Sequence, residues 1–139
     1  MSDPVGALRQ ILASDAVVAA MAGADVYGGE LPAAAVARLP RAMVLVQASG
    51  GISLTGGSDA EHDTQRIDVT CYGGTAREAD VLRQNCALTL RRVRRQVAAG
   101  TLIHSINPAG GGLPGRERDG GWPFAMQPFQ IFHALETIP

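Results

Sequence analysis

The side chains of this chain that could carry covalent catalysis are a cysteine and two histidines in apolar surroundings. The thiol of Cys71 could act as a nucleophile if the imidazole of His104 or His133 lay beside it as a base. Each of the three, however, stands in an alternating, strand-like stretch where a buried structural role is the ordinary one. We therefore interpret them as sheet positions, and a small Cys-dependent hydrolase stays the last of the alternatives.

A metal site would need ligands from distant parts of the chain. No Cys-x-x-Cys or His-Glu-x-x-His spacing occurs. The scattered candidates that would have to converge are His62, Asp63, His104 and His133. We expect no metal and no cofactor, and a metal-dependent hydrolase is as remote an alternative as the thiol one.

Two glycine-rich stretches raise the question of a phosphate site. The stretch GGTA at 73–76 lacks the GxGxxG pattern, and the chain has no lysine to serve as the lysine of a phosphate-binding loop. The stretch GGGLPG at 110–115 precedes no convincing helix, so no helix dipole would face an anion there. We interpret the first as a tight turn into a helix and the second as a loop.

The one basic cluster is RRVRRQ at 91–96. On a helix that continued through it, the four arginines would project at successive steps of about 100° and would not form one basic face. They would also complement the negative end of the helix dipole. We favour a role in subunit contact over sequence-specific DNA binding, and nonspecific exposure to DNA stays open.

Length and charge restrict the class of protein. A chain of 139 residues that is 46% hydrophobic can bury one core, so residues 1–139 are expected to form a single domain. The net charge of −1 gives no global reason for nucleic acid or a membrane as main partner. Cys71 and Cys86 are expected in the core, where a disulfide is possible but not required; no signal-like or membrane-spanning segment is evident.

The clearest structural signal is a strand that passes directly into a helix. The alternating stretch RIDVTCY at 66–72 leads through two glycines to Thr75, which with Glu78 predicts a reciprocal capping box. The apolar stripe of the helix is expected to continue through the basic cluster to Val97: Ala79, Leu82, Cys86, Leu90, Val93 and Val97. Val81 and Leu88 point to the opposite side, so we expect a neighbouring subunit to cover them.

The remaining elements are shorter. Asp3 and Pro4 predict the start of a first helix, and Ser14 and Asp15 a restart that ends at Gly23. The piece DVY predicts an extended segment, and AMVLVQA predicts an interior strand. The stretch 49–63 predicts a long hairpin arm with an acidic tip. TLIHSIN should place Leu102, His104 and Ile106 on one face, followed by a glycine-rich loop and a last strand, FQIFHALETI.

The expected fold is therefore α+β. We predict a mainly antiparallel sheet of about four to five strands, with a short N-terminal helix and one long helix packed on it. The hairpin arm and the glycine-rich loop would extend from this body.

The order of these elements resembles the tail-terminator, or tail-completion, proteins of long-tailed bacteriophages and related gene transfer agents. The likeness covers nearly the whole chain. It rests on the opening DPVGALRQILASDAVVAAMAG followed by DVYGGELP, the strand RAMVLVQ, the passage RIDVTCYGGTAREADVLRQNCALTL and the late strand GTLIHS. The resemblance implies a small subunit of a ring, typically a hexamer, at the head-proximal end of the tail tube, where it ends tube growth and joins the head. It implies binding and no catalysis, so no catalytic residue is carried over.

Three groups of residues are candidates for contacts in such a ring. The first would face a neighbouring subunit, the second would contact the tube or line the channel, and the third would anchor a partner protein or fold over its own core. The subunit-facing group is Val81, Leu88, Arg91 and Arg95. The group for the tube or channel is Asp59, Glu61 and Asp63, and the candidate anchor is Trp122.

The implied partners are further copies of the chain, the tail-tube protein on one side and a head-closure or stopper protein on the other. DNA would pass through the ring without specific binding, no membrane would be involved, and the virion tail or neck would be assembled in the cytoplasm of the bacterial host. The nearest alternative is a head-closure, stopper or connector protein of the same neck. A major tail-tube subunit is disfavoured because the chain has too much helix and too few strands for a β-sandwich.

Overall fold

The computed structural model describes residues 3–49, 62–118, 120–135 and 137. The helices are α1 (Pro4–Ser14), α2 (Ala16–Ala22), α3 (Ala33–Val36) and α4 (Ala76–Arg91). The strands are β1 (Val26–Gly28), β2 (Met43–Ala48), β3 (His62–Tyr72), β4 (Arg94–Ala98), β5 (Thr101–Pro108), β6 (Leu113–Arg116) and β7 (Pro123–Ala134).

All seven described strands belong to one mixed sheet. Its order is β1-β2-β3-β7-β5-β4, and β6 also pairs with β7. Only β1 and β2 are parallel; the other pairs are antiparallel. The α+β fold with a mainly antiparallel sheet is confirmed, but the strand number was underestimated, because β1 and β6 are short and β4 was assigned to a helix.

The main core lies between one face of the sheet and helices α1, α2 and α4. Phe129 and Ile131 of β7 are among its largest fully buried side chains. A smaller cluster lies on the opposite face, around Met43 and Leu45, and is covered by α3 and the segments beside it. Because each face of β2 is covered, its apolar residues are buried on both sides, as predicted for an interior strand.

A buried carboxylate anchors the segment that covers this second cluster. Asp25 accepts hydrogen bonds from the Tyr27 hydroxyl at 2.6 Å and from Arg38 Nη2 at 3.0 Å, and Arg41 Nε lies 3.4 Å away. Burial acts to raise the pKa of Asp25, but these hydrogen bonds and the two positive charges hold the pKa below its ordinary value. The ionised Asp25 therefore ties the α3 region to β1.

The predicted helix starts are confirmed, with one change of partner. Asp3 Oδ1 accepts the Gly6 amide at 3.0 Å, and Asp15 Oδ2 accepts the amides of Val17 and Val18 at 3.1 and 3.0 Å. At α4, Thr75 Oγ1 accepts the Glu78 amide at 3.2 Å. The Glu78 carboxylate, however, accepts the amide of the glycine before Thr75, at 3.0 Å, so the reciprocal bond to Thr75 was wrong by one residue.

The long helix is shorter than its apolar stripe. It ends at Arg91, and residues 94–98 form β4, which pairs with β5. The turn between these strands consists of Ala99 and Gly100, both with positive φ (47° and 73°), as in a tight two-residue hairpin. Val93 is buried but lies outside the helix, and Val97 is 49% exposed. The sheet hydrogen bonds of this hairpin replace the last predicted helical turns.

The predicted face of β5 was also wrong. Its register on β7 shifts between Ile103 and Ser105, which is a β-bulge. As a result Ile103 and Ile106 both point into the core, whereas Leu102 and His104 are only half-buried. Alternation counted from the sequence fails here because one residue is inserted into the pleat.

The glycine-rich stretch is partly ordered into the sheet. Residues 113–116 form β6 against the first part of β7, which begins at Pro123 and so is longer than predicted. A Cβ at Gly115 would lie 2.6 Å from the ring of Phe124, so only glycine allows this close approach.

In the described part of the chain no single helix is both long and apolar enough to cross a membrane; α1 and α2 reach that length only as a pair bent by 86°.

Candidate interaction surfaces

The candidate catalytic residues do not form a catalytic group. Cys71 is fully buried on β3 and its Sγ lies 3.8 Å from Cys86 Sγ; both cysteines are free. The hydrogen bond with Cys86 and burial raise the pKa of Cys71 well above its ordinary value, which favours the unreactive thiol. Cys71 pairs in register with Ala125, and His133 lies eight positions further along β7, roughly 26 Å away for an extended strand. His104 lies beside the same end of β7, because Ile103 and Ser105 on either side of it pair with His133 and Phe132. The thiol of Cys71 therefore meets neither imidazole.

His104 and His133 lie beside an aromatic ring and a backbone carbonyl, respectively. The ring of His104 stacks on Phe132 with centroids 4.9 Å apart, and the His133 ring is buried beside the carbonyl oxygen of Ala134. Among the described residues, no group of three or more His, Cys, Asp or Glu side chains could hold a metal ion.

Only one of the three predicted channel-lining residues is described. Asp59 and Glu61 lie outside the described residues. Asp63 is part of β3 and is half-buried, and its Oδ1 accepts the amide of Thr64 at 2.8 Å. Its assignment to a hairpin tip was wrong, because the pairing of β3 with the end of β7 extends past it.

The outward side of α4 carries an exposed leucine beside a shallow pocket. Leu88 is 50% exposed, as expected for a residue opposite the buried stripe. The pocket has a volume of about 290 Å³, and we call its lining the α4 outer surface: Arg83, Gln84, Ala87, Leu88, Arg91 and Gln127. Val81 is half-buried. It lies one helical turn before Asn85, whose side-chain amide nitrogen lies 3.6 Å from the sulfur of Met21 in α2. Leu88 and Arg91 are thus on one surface, and Val81 lies towards α2.

A polar network fixes one wall of this pocket. Arg83 donates from Nε to Asp80 at 2.9 Å and from Nη1 to Gln127 Oε1 at 2.7 Å. Gln127 in turn donates to the carbonyl of Gly110 at 3.1 Å. The hydrogen bond from Arg83 is the largest influence on Asp80 and, against the effect of burial, lowers the pKa of that carboxyl. Helix α4, strand β7 and the glycine-rich stretch are therefore joined at this point.

Sequence reasoning missed this network. One signal was present, because Gln127 interrupts an otherwise apolar run, PFAMQPF, in which an amide needs a buried partner. Its partner Arg83 could not be chosen from the sequence, since arginines on a helix are ordinarily solvated.

We expect Arg83→Ala to lower the free energy of unfolding by about 1–3 kcal/mol, because the buried Gln127 oxygen would lose its donor. Arg77→Ala, at an exposed position on the same helix, is the control and should change stability by no more than about 0.5 kcal/mol. Urea unfolding followed by circular dichroism measures both. Equal stability of the two variants would mean that the network does not support the fold.

The basic cluster adopts a different arrangement from the predicted one. Arg91 ends α4 and Arg92 caps it, whereas Arg94 and Arg95 belong to β4. Arg94 Nη1 donates to the carbonyl oxygens of Arg91 and Val93, both at 2.8 Å. All four arginines are exposed, and we call them the arginine corner. Arg95 was therefore wrongly placed on the helix beside Arg91.

Trp122 packs on its own chain. It is half-buried against the second apolar cluster with Phe124, and its ring lies directly over Gly120, where a Cβ would overlap it. The indole Nε1 is buried and has no hydrogen-bond partner among the described residues. The indole of Trp122 therefore helps to cover the sheet face opposite the main core. A role of Trp122 in anchoring a partner protein stays a prediction.

Comparison with known proteins gives a fold relationship. No protein-family model matches the chain, and no curated protein is similar to it in sequence. The structure is similar to a protein chain in a solved structure described as the virion of a native gene transfer agent (GTA) particle. The TM-score is 0.73 at 16% sequence identity, and the alignment covers 96% of this chain and 99% of that chain. At this identity the likeness establishes a shared fold.

Proposed function

We propose that the protein is a structural component of a phage-like particle that forms a ring on the head-proximal end of the tail tube. The ring ends polymerisation of the tube and presents the surface that joins the head. The observation that carries this proposal is the fold match over nearly the full length of both chains to a component of a gene transfer agent virion. The tail-terminator resemblance of the sequence, which was found independently of the fold, supports the same class of protein.

The distribution of side chains supports a binding role. The thiols that could react lie in the core, whereas an exposed leucine, a shallow pocket and a basic corner lie on the surface. Exposed apolar groups beside fixed polar ones are common in surfaces that associate. A ring-forming adaptor acts through such surfaces, and the site of action is then the contact between copies.

In the proposed ring, subunits associate head to tail through the α4 outer surface. Leu88 lies at the centre of this contact and Val81 at its edge towards α2. Arg91 and Arg95 lie at the opposite edge, where their guanidinium groups would stay accessible in the ring. A head-to-tail contact joins two different patches and closes a ring if the rotation between copies divides a full turn. We propose six copies, with the tail-tube protein on one side and the head-closure protein on the other.

The channel assignment is also a proposal. Asp59 and Glu61, with Asp63 at the start of β3, would contact the tube or face the passage through which DNA moves, where negative charge prevents tight binding. Assembly in the host cytoplasm and a final position in the virion neck complete the proposed role. Trp122 would contribute to a surface that binds a partner protein, on the sheet face opposite the main core.

Deletion of the gene tests the proposed role, with particles scored by electron microscopy for tail length and for joined heads and tails. We expect overlong tails without heads, because nothing would end the growth of the tube. A copy of the gene supplied in trans should restore tail length. Tails of normal length beside separate heads would reject the terminator role and assign the protein to head closure.

A further inference from the structure

The arginine corner is an exposed concentration of positive charge that forms no ion pair with any described residue. It holds four of the twelve arginines of the chain within five consecutive positions. Among the described residues, none of the four forms an ion pair with a carboxylate; the ion pairs there join Asp25 to Arg38 and Arg41, and Asp80 to Arg83. Unpaired guanidinium groups at this density repel one another, and a polyanion would relieve that repulsion.

The structure removes the main reason for excluding a polyanion. On a continuous helix the four side chains would spread around the axis, but α4 ends at Arg91 and the chain turns into β4. Five consecutive Cα atoms span no more than roughly 15 Å, so the four charges lie close together, with Arg91 at the pocket beside Leu88 and Arg92 at a second pocket between α1 and β4. A surface of this size can meet several neighbouring phosphates of a nucleic acid backbone.

Local geometry also prepares the corner for contact. The guanidinium of Arg94 is held by two carbonyl oxygens at the end of α4. Arg95 has a φ of 44°, a left-handed conformation that glycine adopts at lower cost. Arg95 has no partner in the register between β4 and β5, and its side chain is exposed at this edge of the sheet.

A second copy of the chain offers few uncommitted carboxylates on its described surface. Six are bound by groups of their own chain, as helix caps, in ion pairs or by a tyrosine: Asp3, Asp15, Asp25, Asp80, Glu78 and Glu117. The charge of the corner is therefore better matched by phosphates than by the described surface of a neighbour.

We propose that the arginine corner binds the phosphate backbone of double-stranded DNA without sequence specificity; the choice of duplex DNA among polyanions rests on the proposed function. Guanidinium groups bind phosphate oxygens in pairs and keep their charge at any accessible pH. The corner has no free-standing helix or ribbon to enter a groove, because β4 pairs with β5 and β5 is itself joined to β7 in the sheet. Contacts to phosphate alone position DNA and do not select a sequence.

The test compares two double variants of the whole chain by fluorescence anisotropy with a labelled random-sequence duplex. The variant Arg92→Gln with Arg95→Gln removes two charges from the corner and keeps Arg94 on the carbonyl oxygens and Arg91 in the pocket. The matched control, Arg77→Gln with Arg118→Gln, removes two exposed charges elsewhere. Both variants have the same net charge, so a difference between them reports the location of the charge.

We expect the slope of log affinity against log salt, between about 50 and 200 mM, to fall by about 0.9 for each phosphate that the corner variant no longer neutralises. Its affinity at the lowest salt should fall at least about tenfold, and the control should stay within about threefold of the wild type. Absence of binding by the wild-type protein, or an equal decrease in both variants, would overturn the proposal.

Oligomeric state must be measured on the same samples, because a ring binds DNA more tightly than a single subunit. The same corner substitutions are therefore also made in a Leu88→Glu background, in which DNA binding must again fall. A corner variant that fails to assemble but keeps the DNA affinity of the Leu88→Glu protein would assign the corner to contact between copies and reject DNA. The tail-length experiment is independent, so normal tails with intact DNA binding would reject only the terminator role.

Discussion

Replacing Leu88 by glutamate is expected to leave a folded subunit that no longer forms a ring. Leu88 is 50% exposed, so the substitution removes little from the subunit core and should change the free energy of unfolding by less than about 1 kcal/mol. In the proposed contact the new carboxylate would be desolvated against a neighbour, which costs several kcal/mol, and Arg91 beside it would offset only part of that cost. Association should therefore weaken at least about a hundredfold.

Size-exclusion chromatography with light scattering measures the assembly, and circular dichroism checks the fold. Val36→Glu is the control, because Val36 is 40% exposed on α3, on the opposite face of the sheet from α4, and receives the same new charge there. An intact oligomer in the Leu88→Glu protein, or an equal effect in the control, would remove α4 from the interface. Val81→Glu is a poorer test, since Val81 is half-buried and a carboxylate there would also disturb the fold.

Replacing Gly73 by alanine is expected to have the largest effect on stability among substitutions that add a single methyl group. A Cβ at Gly73 would lie 2.5 Å from the amide nitrogen of Ala79 and 3.0 Å from its Cα, both in the first turn of α4. Backbone atoms cannot rotate away, so the strand and the helix would have to separate. Overpacking of this kind costs about 3 kcal/mol.

The neighbouring glycine is the control. A Cβ at Gly74 would approach only the end of the Glu78 side chain, at 2.9 Å, and that side chain can move. We expect Gly74→Ala to cost less than about 1 kcal/mol, mostly through a weaker Glu78 cap. Urea unfolding measures the free energy of unfolding of both variants. An equal loss of stability in the two would show that the junction accommodates a side chain at Gly73.

Capping signals in the sequence correctly located three helix starts, because a cap is a local interaction. The oxygens of Asp3, Asp15 and Thr75 reach amides two or three residues away whatever the rest of the fold does. Apolar runs were equally informative where both faces are buried, as in β2, or where one regular stripe faces the core, as in most of α4. The α+β class followed from the order of these elements.

Predictions failed where a distant part of the chain determines the local conformation. Residues 94–98 continue the helical spacing of apolar residues, but in the fold their backbone pairs with β5 and the helix ends before them. The face of β5 depends on a bulge against β7, and Arg83 depends on Gln127, which lies 44 positions away. In each case tertiary hydrogen bonds outweigh a local preference worth only a fraction of a kcal/mol per residue.

The same division applies to the candidate surfaces. That Leu88 lies opposite the buried stripe follows from helical geometry, and the structure leaves it exposed beside a pocket that only α4 and β7 together create. That four arginines form one corner could not be known from spacing, because it depends on where the helix stops. By itself the sequence determined the caps and the apolar faces of β2 and of most of α4, since these depend on neighbours within a few residues, and the order of these elements indicated the fold class. The tertiary structure decided the end of α4, the register of β5 and the surfaces available for assembly, because backbone pairing across the sheet sets them.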